Sequence, residues 1–441
     1  MRVALRPSMR ATVGLLLFSI GCASAPRAQP LPVSPARASD AEYAGALRVR
    51  SWGDPASPPL VLVHGLGERA SGDFEPVADG LAQGFHVIAL DLPGFGGSPA
   101  AGHSFHPSDF AELVARWMRE ELDGPAHLLG HSMGGAIAIL VAGRHPELVE
   151  RLVLVDVAGV LHREAFVGSQ LGGAAHGPVG SLVGAVRRFE PDPAEIVSSP
   201  ALRRAVLGES PGQVAALSLI TTDVGPALSA IRAPTLLLWG QRDRIAPLRT
   251  AHLLDDRIAG SRLVVLERAG HVPMEDAPAA FVTRVRAHLL PDVDVPARPR
   301  ADGAATDRVF RCEGQSDVEL TGRYQRVELR GCRGVVIRDA RIDALVVHHS
   351  DAVLDNVLLG GRGAAVALEA RDANLRATGG AMIGEIGASI SGSRLDLAGV
   401  EVIGSRVAFQ TGAPSRVLFS VCVVRSGRGL AYPHGNAVLG G

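Results

Sequence analysis

The sequence predicts two architectures in one chain. The first is an α/β unit on a central, mostly parallel sheet with a helical cap; the second is an all-β parallel solenoid. Three observations lead there. Between residues 43 and 290, continuous apolar runs alternate with longer amphipathic ones, the pattern of strands covered on both faces by crossover helices. Beyond residue 307 the helical period disappears, and short apolar alternations recur about every 17 to 22 residues, roughly one solenoid coil. Two Pro/Ala-rich stretches, "ASAPRAQPLPVSPARASD" (23–40) and "PDVDVPARPRADGAATD" (291–307), read as linkers on either side of the first unit. A chain of 441 residues also exceeds one ordinary core.

From the N-terminus, Arg2, Arg6 and Arg10 precede "ATVGLLLFSIG", an apolar stretch too short to span a bilayer as a helix. This is the pattern of an export signal over residues 1–21. "SIGC" then places Cys22 where a bacterial lipoprotein signal, which this segment resembles, carries its lipidated cysteine. Ser19 departs from that pattern, and an ordinary secretory signal cut nearby is the other reading. Residues 22–42 form a tether. The resulting expectation is an exported protein of the bacterial envelope, lipid-anchored and therefore periplasmic or outer-membrane.

Within the α/β unit (43–292), the strand runs are "PLVLVHG" (59–65), "HVIALDLPG" (86–94), "AHLLGHS" (126–132), "RLVLVDVAG" (151–159), "PTLLLWG" (234–240) and "RLVVLERAGH" (262–271). A helix is expected over 106–122, with Ser108 as its N-cap. A second follows Ser132 and stops before Pro146. Residues of about 160–232 carry no strand signal and read as a helical cap over the sheet's carboxyl edge, where open α/β sheets bind ligands.

A linker (293–306) leads to the solenoid (307–441). Its repeats are "VVIRDARID" (335–343), "VLDNVLLGG" (353–361), "LRATGGAMIG" (375–384), "LDLAGVEVIG" (395–404) and "VLFSVCVVR" (417–425). They resemble right-handed parallel β-helix repeats. An antiparallel sandwich is the alternative, disfavoured by the lack of regularly placed Asn-Gly or Asp-Gly hairpin turns. With Cys22 lipidated, Cys312 and Cys332 are free to pair in an oxidising compartment, leaving Cys422 over.

Composition narrows the function. Lys and Arg total 44 against 45 Asp and Glu, which gives no reason to expect nucleic acid as a partner. Aromatic residues make up 4%, too few for stacking platforms. The cysteines and histidines have no metal-ligand spacing, so neither a metal nor an organic cofactor is expected. His348 and His349 read as surface histidines.

The chemistry centres on "LLGHSMGG". Ser132 sits at a strand-to-helix turn between glycines, where a serine can be held in strained geometry with its hydroxyl exposed. A serine hydroxyl needs a base to take its proton and a carboxylate to orient that base. His271 follows the strand at 262–268, and Asp243 follows the strand at 234–240. Asp156, ending "VLVD", is a second candidate for the acid. Two backbone N–H groups must receive the oxyanion: that of Met133 and, from the loop after an early strand, that of Leu66. His64 is expected to hold that loop by hydrogen bonding, His131 to pack in the elbow, and Asp91 to shape a loop.

"HGLGE", "DLPGFGGS", "GHSMGG", "WGQRDRIAP" and "GHVPMEDAP" occur in this order. On these segments, residues of about 43–290 resemble the alpha/beta-hydrolase fold superfamily, the branch with one cap after the sixth strand. The resemblance implies Ser132 as nucleophile, Asp243 as orienting acid and His271 as base. Relatives that open epoxides or displace halide place aspartate at the elbow, so Ser132 points to acyl transfer. The expected reaction is cleavage of an ester-type bond in a small or medium apolar substrate. A perhydrolase or haloperoxidase, or a C–C bond hydrolase, would use the same triad. A non-catalytic envelope protein acting through its solenoid is the rival of another class. No partner of the solenoid is legible.

Overall fold

Six of the apolar runs form strands of one seven-stranded sheet in the computed structural model, which describes residues 47–100, 105–161, 211–219, 221–290, 308–361, 363–427 and 429–440. The export signal with Cys22, the tether, cap residues 162–210 and segment 291–307 lie outside the described residues. The strands are β1 (Arg48–Trp52), β2 (Pro59–Val63), β3 (His86–Asp91), β4 (Ala126–His131), β5 (Val149–Val155), β6 (Thr235–Gly240) and β7 (Ser261–Leu266). They lie in the order β1-β3-β2-β4-β5-β6-β7. All neighbours are parallel except β1, which pairs antiparallel with β3. β1 escaped the sequence reading. As an edge strand with a half-exposed pattern, "RVRSW" keeps arginines where the inner strands keep Val and Leu.

Helices cover both faces: α1 (Glu75–Ala82), α2 (Pro107–Glu121), α3 (Met133–Arg144), α4 (Pro211–Leu219), α5 (Gly225–Leu228), α6 (Leu248–Arg257), α7 (Pro273–Asp276) and α8 (Pro278–Leu289). One core joins Val61, Leu128 and Leu154 to Phe110 and Ile137. The other joins Leu60, Leu62 and Leu129 to Phe74 and Phe281. Alternate residues of one strand thus serve opposite cores, which is why each strand is apolar throughout. α2 starts as expected but is capped differently. Ser108 lies inside the helix, and the His106 side chain caps it by accepting the Ser108 N–H at 3.2 Å. Pro107 takes the first helical position, where its missing N–H costs nothing. Within residues 160–232, which the sequence reads as a cap, the described segments include the helices α4 and α5.

The remaining strands are β8 (Val309–Glu313), β9 (Glu319–Arg330), β10 (Val335–His348), β11 (Asp351–Gly360), β12 (Val366–Arg371), β13 (Asn374–Thr378), β14 (Ala381–Ser391), β15 (Arg394–Ala398), β16 (Glu401–Thr411), β17 (Ser415–Ser420), β18 (Val423–Ser426), β19 (Gly429–Ala431) and β20 (Gly435–Leu439). They stack in parallel, coil on coil. Val335 pairs with Ala352, Leu345 with Leu368, Ala381 with Glu401, and Arg394 with Arg416. This parallel register rules out the sandwich. Among the described strands of this unit, only β19 and β20 pair antiparallel, at its C-terminal end. Ile337, Leu354, Leu375, Leu395 and Val417 fill the interior in stacked layers. Cys312 and Cys332 form a disulfide across the first coils, and Cys422 is a free, buried thiol. Among the described residues, no helix is long and apolar enough to cross a membrane.

Candidate active site

The sheet order changes direction between β2 and β4, the two strands from which the chain winds away to opposite sides. Ligands of open α/β sheets bind at such a switch point, outside the carboxyl strand ends. The loop after β2 and the turn after β4 meet there. Ser132 occupies that turn with φ 55° and ψ −116°, a conformation that L residues rarely adopt. Its backbone is tied down on both sides: its N–H donates to Val155 O at 2.9 Å, and its carbonyl accepts from Gly135 at 3.0 Å and Ala158 at 3.2 Å. Gly134 lets α3 press against β2, since a Cβ there would stand 2.1 Å from Val63 O. The glycine demand noticed in the sequence is thus a demand for close helix–strand approach.

His271 Nε2 lies 3.0 Å from Ser132 Oγ, and its Nδ1 lies 2.8 Å from Asp243 Oδ2. The structure therefore brings Ser132, His271 and Asp243 into one hydrogen-bonded chain. Asp243 arrives from the loop after β6 and His271 from the loop after β7. Those two loops can touch because residue 240 is glycine: a Cβ there would lie 2.0 Å from Gly270 O. Asp243 is held from its other oxygen as well. Oδ1 accepts the N–H of Ile245 at 2.7 Å and of Ala246 at 2.9 Å. Burial would raise its pKa, but the His271 hydrogen bond and charge and these two N–H groups hold it below the ordinary carboxylate value.

Asp156 differs in kind. It is fully buried, with φ 43°, at the end of β5. Its Oδ1 accepts the Gly240 N–H at 2.9 Å, while its Oδ2 has no hydrogen-bond partner among the described residues. Burial and then the charge of Asp243 hold its carboxyl well above the ordinary range. It does not contact His271 through any hydrogen bond among the described residues, whereas Asp243 does.

Leu66 follows β2 in the loop pressed against the elbow; a Cβ on the adjacent Gly65 would lie 3.0 Å from Ser132 Cβ. Among the described residues, neither the Leu66 nor the Met133 backbone N–H donates to another group. His64 holds this loop, its Nε2 accepting the Leu92 N–H at 3.0 Å and its Nδ1–H donating to Gly65 O at 2.6 Å. Asp91 ties the neighbouring loop, accepting from Ser71 and Gly97. His131 has a role that the sequence did not show: its Nε2–H donates to the His271 carbonyl at 2.7 Å. Burial, more than any other cause, pushes its pKa down to about 3, while this hydrogen bond works the other way. His348 and His349 pair with Glu369 and Asp372, and no metal-ligand cluster occurs among the described residues.

Asp73 is the residue that sequence reasoning missed. No motif marks it, because its significance depends on its neighbours after folding. Arg69 Nε stands 3.8 Å from Asp73 Oδ1. Burial raises its pKa, Arg69 lowers it, Glu275 raises it and His271 lowers it; the net is a rise from 3.8 to about 6. A carboxyl raised in this way contributes stability that is complete below about pH 4 and is lost as pH rises through 6. Asp73→Asn is therefore expected to change Tm little at pH 4 and to raise stability above pH 6 by up to about 3 kcal/mol. Thermal melts at pH 4 and 7.5 measure this; an equal shift at both would refute it.

The model of one family, described as alpha/beta hydrolase fold, matches residues 58–278. The pimeloyl-[acyl-carrier protein] methyl ester esterase of Aeromonas hydrophila subsp. hydrophila is 33% identical over 245 residues, covering 51% of this chain and 92% of that protein. The protein of the same name from Neisseria meningitidis serogroup A is 31% identical over 254 residues, covering 54% of this chain and 78% of that one. The enol-lactonase of Burkholderia xenovorans LB400 is a similar solved structure, with 24% identity and a TM-score of 0.43 over 56% of this chain and 96% of that one.

Proposed function

The chain belongs to the alpha/beta hydrolase fold family and is a hydrolase; from that premise we propose that it is an exported serine hydrolase cleaving ester-type bonds through an acyl-enzyme. The observation that carries this reading is the unbroken chain Ser132–His271–Asp243. In the proposed mechanism, Ser132 Oγ attacks the acyl carbon while His271 Nε2 takes its proton. Asp243 holds the Nδ1–H of His271, fixing its tautomer and stabilising the imidazolium that forms. The N–H groups of Leu66 and Met133 receive the oxyanion. His271 then protonates the leaving group, and an incoming water, deprotonated by the same nitrogen, releases the acid and restores Ser132.

The substrate we propose is a small or medium apolar acyl ester. The cap's Gly, Ala and Leu content and the esterases among the relatives support this. Export with lipid attachment at Cys22 is part of the same proposal. It is supported by the Arg-flanked apolar leader and by the Cys312–Cys332 disulfide, a bond at home in oxidising compartments.

A fluorophosphonate probe tests the mechanism. Wild-type protein is expected to label covalently, and Ser132→Ala and His271→Ala are not. Absence of label on folded wild type would overturn the reading. Turnover of acetyl, butyryl and octanoyl esters tests the substrate class, which fails if a lactone or an activated C–C substrate turns over and none of these does.

A further inference from the structure

α6 begins two residues after Ala246, whose N–H holds the Asp243 carboxylate. Its start is weakly specified by its own sequence. Pro247 is the N-cap and supplies no capping side chain, and the first turn carries no acidic residue. The anchor comes instead from the solenoid. Arg249, in that first turn, sends its whole guanidinium into the later domain. Its Nε donates to Thr378 Oγ1 at 2.8 Å, its Nη1 to Asp396 Oδ2 at 2.9 Å, and its Nη2 to Ala377 O at 3.0 Å and Asp396 Oδ1 at 3.1 Å. Both side chains are mostly removed from solvent, at 11% and 14% exposure. A planar fork used in full, at such burial, is far from a loose surface pair.

The grip extends along the helix. Asp256, near its other end, accepts the Gly380 N–H at 3.2 Å. Leu253 is completely buried in the same core as Ala398 and Val421, both from the solenoid. On the other side, the chain between Asp243 and Arg249 has little slack. Ala246 O accepts the Trp239 indole N–H at 2.8 Å, and the Thr250 N–H donates to Pro247 O at 2.7 Å. The segment carrying the triad acid is therefore fixed at one end by β6 and at the other by the solenoid.

We infer that the solenoid braces the acid loop of the hydrolase, and that Arg249 is the positioning residue through which it does so. The inference rests on Asp243 as the orienting acid. It gives the C-terminal module a role in the reaction without requiring it to touch substrate. It also makes the geometry of the triad responsive to anything that strains β13 or β15.

The test uses the full chain with Arg249→Ala, Arg249→Lys and, as a control, Arg333→Ala, which removes an exposed solenoid ion pair with Asp351. Hydrogen exchange at the Ile245 and Ala246 amides reports the acid loop without any reference to catalysis. Arg249→Ala is expected to speed exchange there at least about tenfold while the β4 and β10 amides keep their protection. The maximal inactivation rate by the fluorophosphonate is expected to fall at least about fivefold with its binding constant unchanged. Arg249→Lys keeps the charge but loses the fork, and falls between. Unchanged exchange at residues 245 and 246, or acceleration spread evenly over the sheet, would overturn the brace. Unlabelled wild type would overturn the hydrolase reading separately, with the exchange data still deciding the brace.

Discussion

Ser132→Gly is expected to abolish turnover and, relative to Ser132→Ala, to give the more stable protein. Both variants remove the hydroxyl, and loss of a triad nucleophile costs about 10^6-fold in kcat in enzymes of this mechanism. They differ in the backbone. With φ 55° and ψ −116°, residue 132 sits where any side chain with a Cβ is strained, at about 1–3 kcal/mol. Alanine keeps that strain and glycine removes it. The surroundings that enforce the conformation, the Val155 carbonyl and the amides of Gly135 and Ala158, are untouched by either change. Glycine's greater freedom in the unfolded chain offsets part of the gain, so a net advantage of about 1 kcal/mol over alanine is expected. Denaturant titrations of the two variants decide it. Equal midpoints would mean that the elbow stores no strain that glycine can release.

The second large effect separates two carboxyls. Asp243→Asn is expected to lower kcat about 10^4-fold with little change in stability. The amide at 243 presents an N–H where His271 needs an acceptor and favours the wrong imidazole tautomer. Asp156→Asn is expected to keep activity within about tenfold. Burial and then the Asp243 charge raise the Asp156 pKa and so disfavour its charged form, and an amide oxygen accepts the Gly240 N–H as well as the acid does. The alternative of Asp156 as the triad acid makes the opposite forecast. A large kcat loss at 156 with activity retained at 243 would exchange their roles.

Most of the sheet was legible because strands buried on both faces have no polar positions to blur them. "PLVLVHG" and "PTLLLWG" can hardly be anything else, and the solenoid's coil length shows as a recurrence of alternating runs. β1 was not legible, since an edge strand with one half-wet face looks like a loop when read alone. The α2 cap was misassigned for a related reason. Ser108 has the right chemistry two positions too late, and only the backbone path shows that His106 Nδ1 reaches its N–H first.

For the site, the sequence by itself determined which residue types stand at which strand ends: a serine between glycines after β4, and an aspartate and a histidine after β6 and β7 in turn. The order of strands along the chain and the loops that follow them are local properties, and local composition encodes them. Only the tertiary structure decided between Asp243 and Asp156 as the partner of His271. It alone brought His131 to the His271 carbonyl, placed Asp73 where burial raises its pKa, and set the solenoid's Asp396 against Arg249. These relations join residues that the chain separates by up to 147 positions. A carboxyl's charge state or a guanidinium's anchor follows from what folding packs around it, and no stretch of sequence carries that information alone.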